Sequence, residues 1–239
     1  MRKELLDRVN AAAGVAAQYC GEVDRDARFP HEAIRSLKDN RLLGLMIPRE
    51  YGGEGASLKD IADICCLLGQ HCSSTGMTFA MHQIKTASLV SHGGASNWHR
   101  SFMERLAREQ LLIASATTEA GIGGDLRNSI CAVERDGDTF RLRKDASVIS
   151  YGAHADAILV TARRAPDAPS SDQVMVAVLK EQYTLQRTAE WNTLGMRGTC
   201  SEGHIFEAAG RAEQIFPKPF AEIAAQSMLA SSHILWSSL

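Results

Sequence analysis

The apolar run Leu111-Leu112-Ile113-Ala114 separates two parts of the sequence that differ in their periodicity. Before this run, apolar residues recur every three or four positions, which is the spacing of amphipathic helices. After it, short apolar runs alternate with turn residues, and Asp136-Gly137-Asp138 predicts a β-hairpin. Because no helical stretch separates these strands, the pattern favours an antiparallel barrel or sandwich over a parallel α/β sheet.

Upstream of residue 111, the periodicity predicts five helices. One apolar stripe extends over residues 3–20. Pro30 suits the first turn of a second helix, which should end near Gly44. The remaining helices are predicted at 57–72, 76–91 and 95–109.

Downstream, the strands are followed by a return of the helical pattern. Residues 221–239 predict an apolar helix without a capping residue at its end. An apolar helix without a partner exposes a surface that soluble monomers rarely tolerate, so we expect another chain or a further segment to cover it. The predicted strands lie at 111–114, 129–135, 139–144, 157–162, 174–179, 184–188 and 204–206.

The composition is that of an ordinary globular protein, since 45% of the 239 residues are hydrophobic and 23% are charged. A net charge of −2 argues against a general binder of nucleic acid or of anionic membranes. No apolar run approaches the roughly 18 residues that cross a bilayer. Glu4 and Asp7 interrupt the alanine-rich beginning, which favours an amphipathic helix over a signal peptide. The six cysteines form no CxxC motif, so we expect reduced thiols and a cytoplasmic protein.

The segment 117–125, Thr-Thr-Glu-Ala-Gly-Ile-Gly-Gly-Asp, is a candidate ligand loop because it follows a strand and holds three glycines within four positions. Glycines let the backbone approach a ligand closely, and their N–H groups can hold a phosphate. The segment matches neither a P-loop nor a dinucleotide-binding fingerprint. A ligand loop and a plain glycine turn therefore both remain open.

Other candidate residues have a structural interpretation that is favoured. The group Cys65, Cys66, His71 and Cys72 lacks the paired short spacings of a zinc site, so core packing is expected and no metal is predicted. Met77 and Met81 could line an acyl pocket, although most methionine stripes belong to the core. His82 and His154 are expected to be structural, and Arg197 is expected to pair with Glu119 or with an anion of a ligand.

Four segments, taken in order, resemble motifs of the acyl-CoA dehydrogenase family. Phe29-Pro30 opens a helix as in that family, and Thr118–Asp125 resembles its TEPxAGSD loop. The other two segments are Leu43–Gly55, similar to the family's N-terminal signature, and Leu194–Thr199, similar to its LGMRGT motif. The likeness extends over roughly residues 25–239, and ordered motifs are far more specific than any one alone.

The resemblance implies an α+β multi-domain fold. An N-terminal all-α helical domain should cover residues 1–110, an antiparallel β-barrel domain residues 111–216, and the first helix of a C-terminal helical bundle residues 217–239, with the rest of the bundle absent or truncated. In the family, FAD lies between barrel and bundle. A base takes the α-proton of an acyl-CoA thioester while a hydride leaves the β-carbon for the flavin. Electrons then pass to an electron-transfer flavoprotein, and the expected assembly is a homodimer or homotetramer.

Transferred position by position, the resemblance implies cofactor-binding and substrate-binding residues but no catalytic base. The substrate-binding residues are Gly124 and Met81. No glutamate among 181, 190, 202, 207, 213 and 222 matches the position of the family's base. The cofactor-binding residues are Ser115, Thr117, Thr118, Gly123, Gly124, Val148, Ile149 and Ser150.

The sequence also departs from the family pattern, and two alternatives follow. Val148 replaces an aromatic residue that shields the flavin, and Gly124 replaces a serine. Ser150, Gly152, His154 and Ala155 echo the SGxxHA pattern of two-component flavin-dependent monooxygenases, which use FMN or a reduced flavin supplied by a reductase. The other alternative is a non-catalytic relative that acts through a partner. Further replacements are Ala120 for proline, Arg143–Ala146 for an NGxK turn, and Tyr151 for asparagine.

Overall fold

The computed structural model describes residues 2–239, and the part before residue 111 contains five α-helices. Helix α2 ends earlier than the periodicity predicts. The Asn40 side-chain amide donates to the carbonyl oxygen of Ser36, and Arg41 adopts a left-handed backbone conformation with φ of 54°. Both features end the helix before Gly44. The helices are α1 (Lys3–Arg25), α2 (His31–Asp39), α3 (Leu58–His71), α4 (Ser73–His92) and α5 (Asn97–Glu109).

Helix α4 is the central helix of this part. It is buried along most of its length, including polar positions such as Gln83 and Thr86. Hydrogen bonds engage these polar side chains: the Gln83 amide nitrogen donates to the Leu42 carbonyl, and the Thr86 hydroxyl donates to the His82 carbonyl. Since α4 contacts α3 and the first strand, it links the helices to the β part.

The β part contains seven strands in two sheets. A three-stranded sheet has the order β1-β4-β5, and a four-stranded sheet has the order β2-β3-β7-β6. The predicted antiparallel arrangement holds for every pair except β1 and β4, which are parallel with Ile113 opposite Ala157. The strands are β1 (Ile113–Ala116), β2 (Glu134–Asp136), β3 (Thr139–Ile149), β4 (Ala157–Arg163), β5 (Gln173–Leu179), β6 (Tyr183–Ala189) and β7 (Glu202–Arg211).

The strand predicted at 129–135 was mostly wrong, because β2 begins only at Glu134. The polar groups that a ladder would use are engaged elsewhere. The Ser129 hydroxyl and the backbone amides of Ile130 and Cys131 donate to the carboxylate of Glu119. The Glu119 carboxylate therefore binds the amides of Ile130 and Cys131, and strand pairing before β2 is limited to an isolated bridge between Ala132 and Arg163.

The C-terminal segment, residues 220–236, is one helical stretch with a π-helical turn inside it. It comprises α6 (Phe220–Ile223), the π-turn Ala224–Met228 and α7 (Leu229–Trp236). Its inner face packs on α4 and α3, so the expectation that this helix lacks a partner was wrong for that face. The other face leaves large apolar side chains exposed: Leu229, Ile234 and Trp236.

One apolar core extends from α1 to the C-terminal segment. The division into domains at residues 110 and 216 therefore stays a proposal. Within residues 2–239, no helix is both long and apolar enough to span a membrane.

Candidate functional site

A cavity of about 320 Å³ lies where the β part, α4 and the C-terminal segment meet. We call its two sides the β wall and the helical wall. The β wall consists of Ser115, Thr117, Thr118, Leu126, Val148, Ser150 and Tyr151. The helical wall consists of Met81, Ile84 and Lys85 from α4 and of Met228, Leu229, Ser232, His233 and Trp236 from the C-terminal segment.

Most residues assigned to a cofactor from the sequence line this cavity, but three do not. Ile149 is fully buried in the core behind the β wall. Gly123 and Gly124 lie outside the cavity, in an exposed loop. The residues brought together are Ser115, Thr117, Thr118, Val148 and Ser150, with Met81 opposite them on the helical wall.

The end of β3 explains why Val148 and Ser150 line the cavity while Ile149 does not. Side chains alternate between the two faces of a strand. Along β3 the buried positions are Phe140, Leu142, Lys144 and Ala146, but a register shift between Ala146 and Ile149 moves the next buried position to Ile149. The irregularity thereby turns the two neighbours of Ile149 towards the cavity.

Some hydroxyl groups of the β wall form hydrogen bonds within the protein, and others do not. The Thr118 hydroxyl donates to the Val148 carbonyl at 2.7 Å and accepts from the Val148 amide at 3.2 Å. Ser150 accepts from the Ser201 hydroxyl at 2.7 Å. Within residues 2–239, the hydroxyls of Ser115 and Thr117 have no hydrogen-bond partner, so they remain available to a ligand.

The glycine-rich loop is anchored at its base by Glu119. Its carboxylate is buried and accepts from the Lys144 ammonium at 3.3 Å. Burial lowers the pKa of Lys144, and the charge of Glu119 opposes that shift. Arg197 does not pair with Glu119, as one interpretation of the sequence expected, but donates to the Asn192 side chain and to the Thr193 carbonyl.

The glycines of this loop meet a conformational need. Gly121, Gly123 and Gly124 have φ values of 90°, 58° and 84°, in the left-handed region that favours glycine. Asp125 closes the loop by accepting from the side chains of Arg127 and Asn128. A tight turn thus accounts for the glycine content without a ligand.

Lys85, on the helical wall, is a cavity residue that the sequence analysis missed. Its side chain is 4% exposed, and its ammonium lies 3.2 Å from the Met228 sulfur. Burial lowers its pKa to about 8. The position four residues after Met81 is the signal that could have located it, because residues at this spacing share one face of a helix. No carboxylate within residues 2–239 lines the cavity.

The two histidines singled out from the sequence lie outside the cavity and have structural surroundings. His82 accepts from the Ile113 amide at 3.0 Å and donates to the Leu43 carbonyl at 2.8 Å. Burial lowers its pKa to about 4, so the ring is neutral. His154 stacks on Phe29 with ring centroids 4.2 Å apart.

The cysteines likewise form no site. Cys65 and Cys72 are buried and Cys66 is exposed. Among residues 2–239, no three His, Cys, Asp or Glu side chains lie close enough together to hold a metal ion.

Comparison with known proteins shows which proteins this chain is similar to in sequence. Residues 2–110 match the model of the acyl-CoA dehydrogenase N-terminal domain. Cyclohex-1-ene-1-carbonyl-CoA dehydrogenase of Geobacter metallireducens is 29% identical over 208 residues, which cover 86% of this chain and 54% of that protein. The probable acyl-CoA dehydrogenase YngJ of Bacillus subtilis is 23% identical, over 80% of this chain and 50% of that protein. The chain thus spans about half the length of these relatives.

Solved structures share the fold over nearly the whole chain. FMN-bound TdsC from Paenibacillus sp. A11-2 superposes with a TM-score of 0.86 at 19% identity, over 99% of this chain and 61% of that chain. Butyryl-CoA dehydrogenase from Megasphaera elsdenii superposes with a TM-score of 0.84 at 16% identity, over 100% of this chain and 65% of that chain. At these identities the likeness shows the fold alone.

The helical part, the two sheets and the further helical segment together have the fold of these acyl-CoA dehydrogenase fold proteins. The matches in sequence are more specific than this likeness in fold. The match over residues 2–110 and the curated relatives support a relationship to the acyl-CoA dehydrogenase family, as the resemblance of the motifs implied.

Proposed function

We propose that this chain provides the β wall of a flavin site and part of an acyl-CoA site, in a protein that oxidises an acyl-CoA thioester between its α- and β-carbons with FAD as hydride acceptor. One observation carries the proposal: Ser115, Thr117, Thr118, Val148 and Ser150, which come from separate segments, line one cavity. The relationship to that family supports the same reaction class.

The residues present fit a flavin. The cavity volume of about 320 Å³ lies within the range usual for small-molecule sites. The free hydroxyls of Ser115 and Thr117 suit the polar edge of the ring, and Val148 offers an apolar surface. When bound, the flavin supplies the two-electron acceptor, while the protein contributes position and polarity.

The chain's own residues hold and enclose the site. The Thr118 hydroxyl ties the segment after β1 to the end of β3, which fixes the spacing of the β wall. Met81, Ile84 and Trp236 give the helical wall an apolar lining. Because no carboxylate of residues 2–239 lines the cavity, the proposal assigns the proton-accepting group to no residue of this chain.

The remaining parts of the proposal follow from the family. We expect an electron-transfer flavoprotein as electron acceptor, a homodimer or homotetramer as assembly, and a cytoplasmic location. The domain limits at residues 110 and 216 and the contact of Gly124 with substrate belong to the same proposal.

A second candidate function is a flavin-dependent monooxygenase of the same fold. The observation that favours it is Val148, which lines the cavity where dehydrogenases of the family have a shielding aromatic residue. TdsC, the FMN-bound fold neighbour, is a dibenzothiophene monooxygenase. This candidate predicts turnover only with supplied reduced flavin and oxygen.

The visible spectrum of the purified chain, with chromatography of flavin released on denaturation, tests the proposal. Bound FAD that is bleached by an acyl-CoA supports the dehydrogenase. FMN, or turnover only with reduced flavin, supports the monooxygenase. A folded chain that stays colourless and gains no absorbance on titration with FAD or FMN contradicts both.

A matched pair of threonine variants sharpens this test. Thr117→Val removes a hydroxyl that has no hydrogen-bond partner within residues 2–239, so flavin affinity should fall about tenfold while the melting temperature stays unchanged. Thr118→Val removes a hydroxyl that already binds Val148 and should lower stability. Equal flavin affinity in the Thr117→Val variant and the unmodified chain contradicts the assigned contact.

A further inference from the structure

Lys85 has surroundings that a buried ammonium does not normally have. Its side chain is 4% exposed, and its one hydrogen-bond partner within residues 2–239 is the sulfur of Met228, at 3.2 Å. A thioether is a weak acceptor, whereas an ammonium carries three donors. Buried charges in proteins are ordinarily paired, and no carboxylate lines this cavity.

The position of Lys85 indicates which part of a ligand it faces. The hydroxyls suited to a flavin belong to the β wall, whereas Lys85 belongs to the helical wall. Met81 lies four residues before Lys85 and Ile84 one residue before it, and both line the cavity. The helical wall is therefore largely apolar, with Lys85, Ser232 and His233 as its polar residues, which suits an apolar chain that ends in an anion.

The charge state agrees with this placement. Burial is the only influence that lowers the pKa of Lys85, to about 8, so at neutral pH the amine remains mostly protonated. An opposite charge within about 4–6 Å compensates for desolvation of such a group. Because residues 2–239 place no carboxylate on the cavity, the compensating charge has to come from outside them, and an anionic ligand in the cavity is one such source.

We propose that the Lys85 ammonium binds a carboxylate at the far end of the acyl group, so that the cavity selects acyl-CoA thioesters carrying a second, terminal acid over plain fatty acyl thioesters. This inference rests on the proposed acyl-CoA function and names its substrate class. Lys85 acts as a specificity-determining residue, and Met228 holds its amine at the cavity when no ligand is present.

Calorimetric titration with matched thioesters tests the proposal. The probes are glutaryl-, adipoyl- and pimeloyl-CoA, each compared with the plain thioester of equal carbon number: pentanoyl-, hexanoyl- and heptanoyl-CoA. The unmodified chain should bind at least one diacid probe about 10- to 100-fold more tightly than its plain counterpart, the range for a charge-assisted hydrogen bond. Equal affinities within every pair overturn the proposal, and so does the absence of binding by all six probes.

Variants at Lys85 connect the preference to the residue. Lys85→Met, which keeps the length and removes the charge, should abolish the preference, and Lys85→Arg should keep part of it. Lys85→Gln serves as a second neutral variant if Lys85→Met does not fold. The control is Lys59→Met, because Lys59 lies outside the cavity on α3, with its side chain 79% exposed and paired with Asp63. A diacid preference that persists in both neutral variants overturns the proposal.

Flavin retention, measured on the same samples, separates this inference from the function it rests on. If the chain prefers diacid thioesters but binds no flavin, the result supports the role of Lys85 in carboxylate binding and contradicts the flavin site. Flavin bound with no preference in any pair leaves the flavin site standing and overturns the role of Lys85. A third result also overturns the proposal: the unmodified chain shows no diacid preference, and Lys85→Met retains reduced flavin more weakly than the unmodified chain. The Lys85 ammonium then contacts the flavin instead.

Discussion

Lys144 and Lys85 are the buried lysines of residues 2–239, and they differ in what surrounds them. Lys144, in the β part, donates to the Glu119 carboxylate at 3.3 Å and to the Thr161 carbonyl at 2.8 Å. Lys85, on α4, contacts a sulfur atom. Both ammonium groups are buried, but within residues 2–239 only the charge of Lys144 is compensated by a carboxylate. A lysine that holds the fold together is paired internally, whereas the lysine at the cavity keeps its donors for a ligand.

The location of each lysine explains the difference. Lys144 joins β3 to β4 through Thr161 and to the glycine-rich loop through Glu119. Both partners of Lys144 therefore belong to the β part of the chain. Lys85 lies between α4 and the π-turn of the C-terminal segment, where its neighbours are apolar.

The largest loss of stability is expected when Lys144 loses its carboxylate partner, Glu119. Glu119→Ala leaves the Lys144 charge uncompensated and removes the acceptor of Ser129, Ile130 and Cys131. We expect the free energy of unfolding to fall by about 3–5 kcal/mol, measured by urea denaturation. Lys144→Met should cost less, because Glu119 keeps those three donors. A larger loss in Lys144→Met than in Glu119→Ala contradicts this account.

At Lys85, the lysine without a carboxylate partner, we expect a substitution to raise the free energy of unfolding. Lys85→Met replaces a desolvated charge with an apolar side chain of similar length, so the ligand-free chain should gain about 1–4 kcal/mol in the free energy of unfolding at pH 7. Lys59→Met, in an exposed pair, should change it by less than about 1 kcal/mol. A loss of stability in Lys85→Met would mean that its charge is compensated in the ligand-free chain.

The pH dependence of stability gives a smaller effect with a defined window. Burial lowers the pKa of Lys85 from 10.5 to about 8, so between these values the unfolded chain binds more protons than the folded one. The unfolding free energy should therefore rise with pH across this window, by up to about 3 kcal/mol from this residue. Subtracting the Lys85→Met profile isolates the contribution, since other groups titrate in both. A difference curve that stays flat from pH 8 to 10.5 contradicts the shifted pKa.

The smallest effect is expected on the β wall. Thr118→Val removes two hydrogen bonds to the Val148 backbone and should lower the unfolding free energy by about 1 kcal/mol. Thr117→Val, which removes no internal bond, should change it by less than about 0.5 kcal/mol, within the usual range for surface substitutions. Thermal denaturation of the two variants side by side measures the difference, and equal losses contradict it.

Several features of the fold and of the candidate site could be predicted from local sequence. The helices upstream of residue 111 follow from their apolar spacing, and the hairpin at 136–138 follows from its turn residues. The motif resemblance placed Thr117, Thr118 and Val148 in one candidate set, and these residues share a cavity wall. Local patterns suffice here because each depends on neighbours a few residues away.

Other features needed contacts between distant residues. The parallel pairing of β1 with β4 joins residues about 44 positions apart, as in Ile113 with Ala157, and no spacing rule predicts it. Ile149 was assigned to the cofactor through the resemblance of its motif, and the register shift after Ala146 that buries it is not visible in the sequence. The segment 129–135 was predicted as a strand from its local pattern. Its hydrogen bonds to Glu119 could not be predicted from that pattern.

Periodicity, turn residues and ordered motifs were enough to establish helices, then strands, then helix, and to indicate the family. Only the folded chain decided which side chains meet. It paired Lys144 with Glu119 rather than leaving that acid to Arg197, and it placed Lys85 on a cavity without an acid. The reason is physical: secondary structure follows from short-range sterics and hydrogen bonds, whereas compensation of a buried charge depends on which groups the tertiary packing brings within a few ångströms.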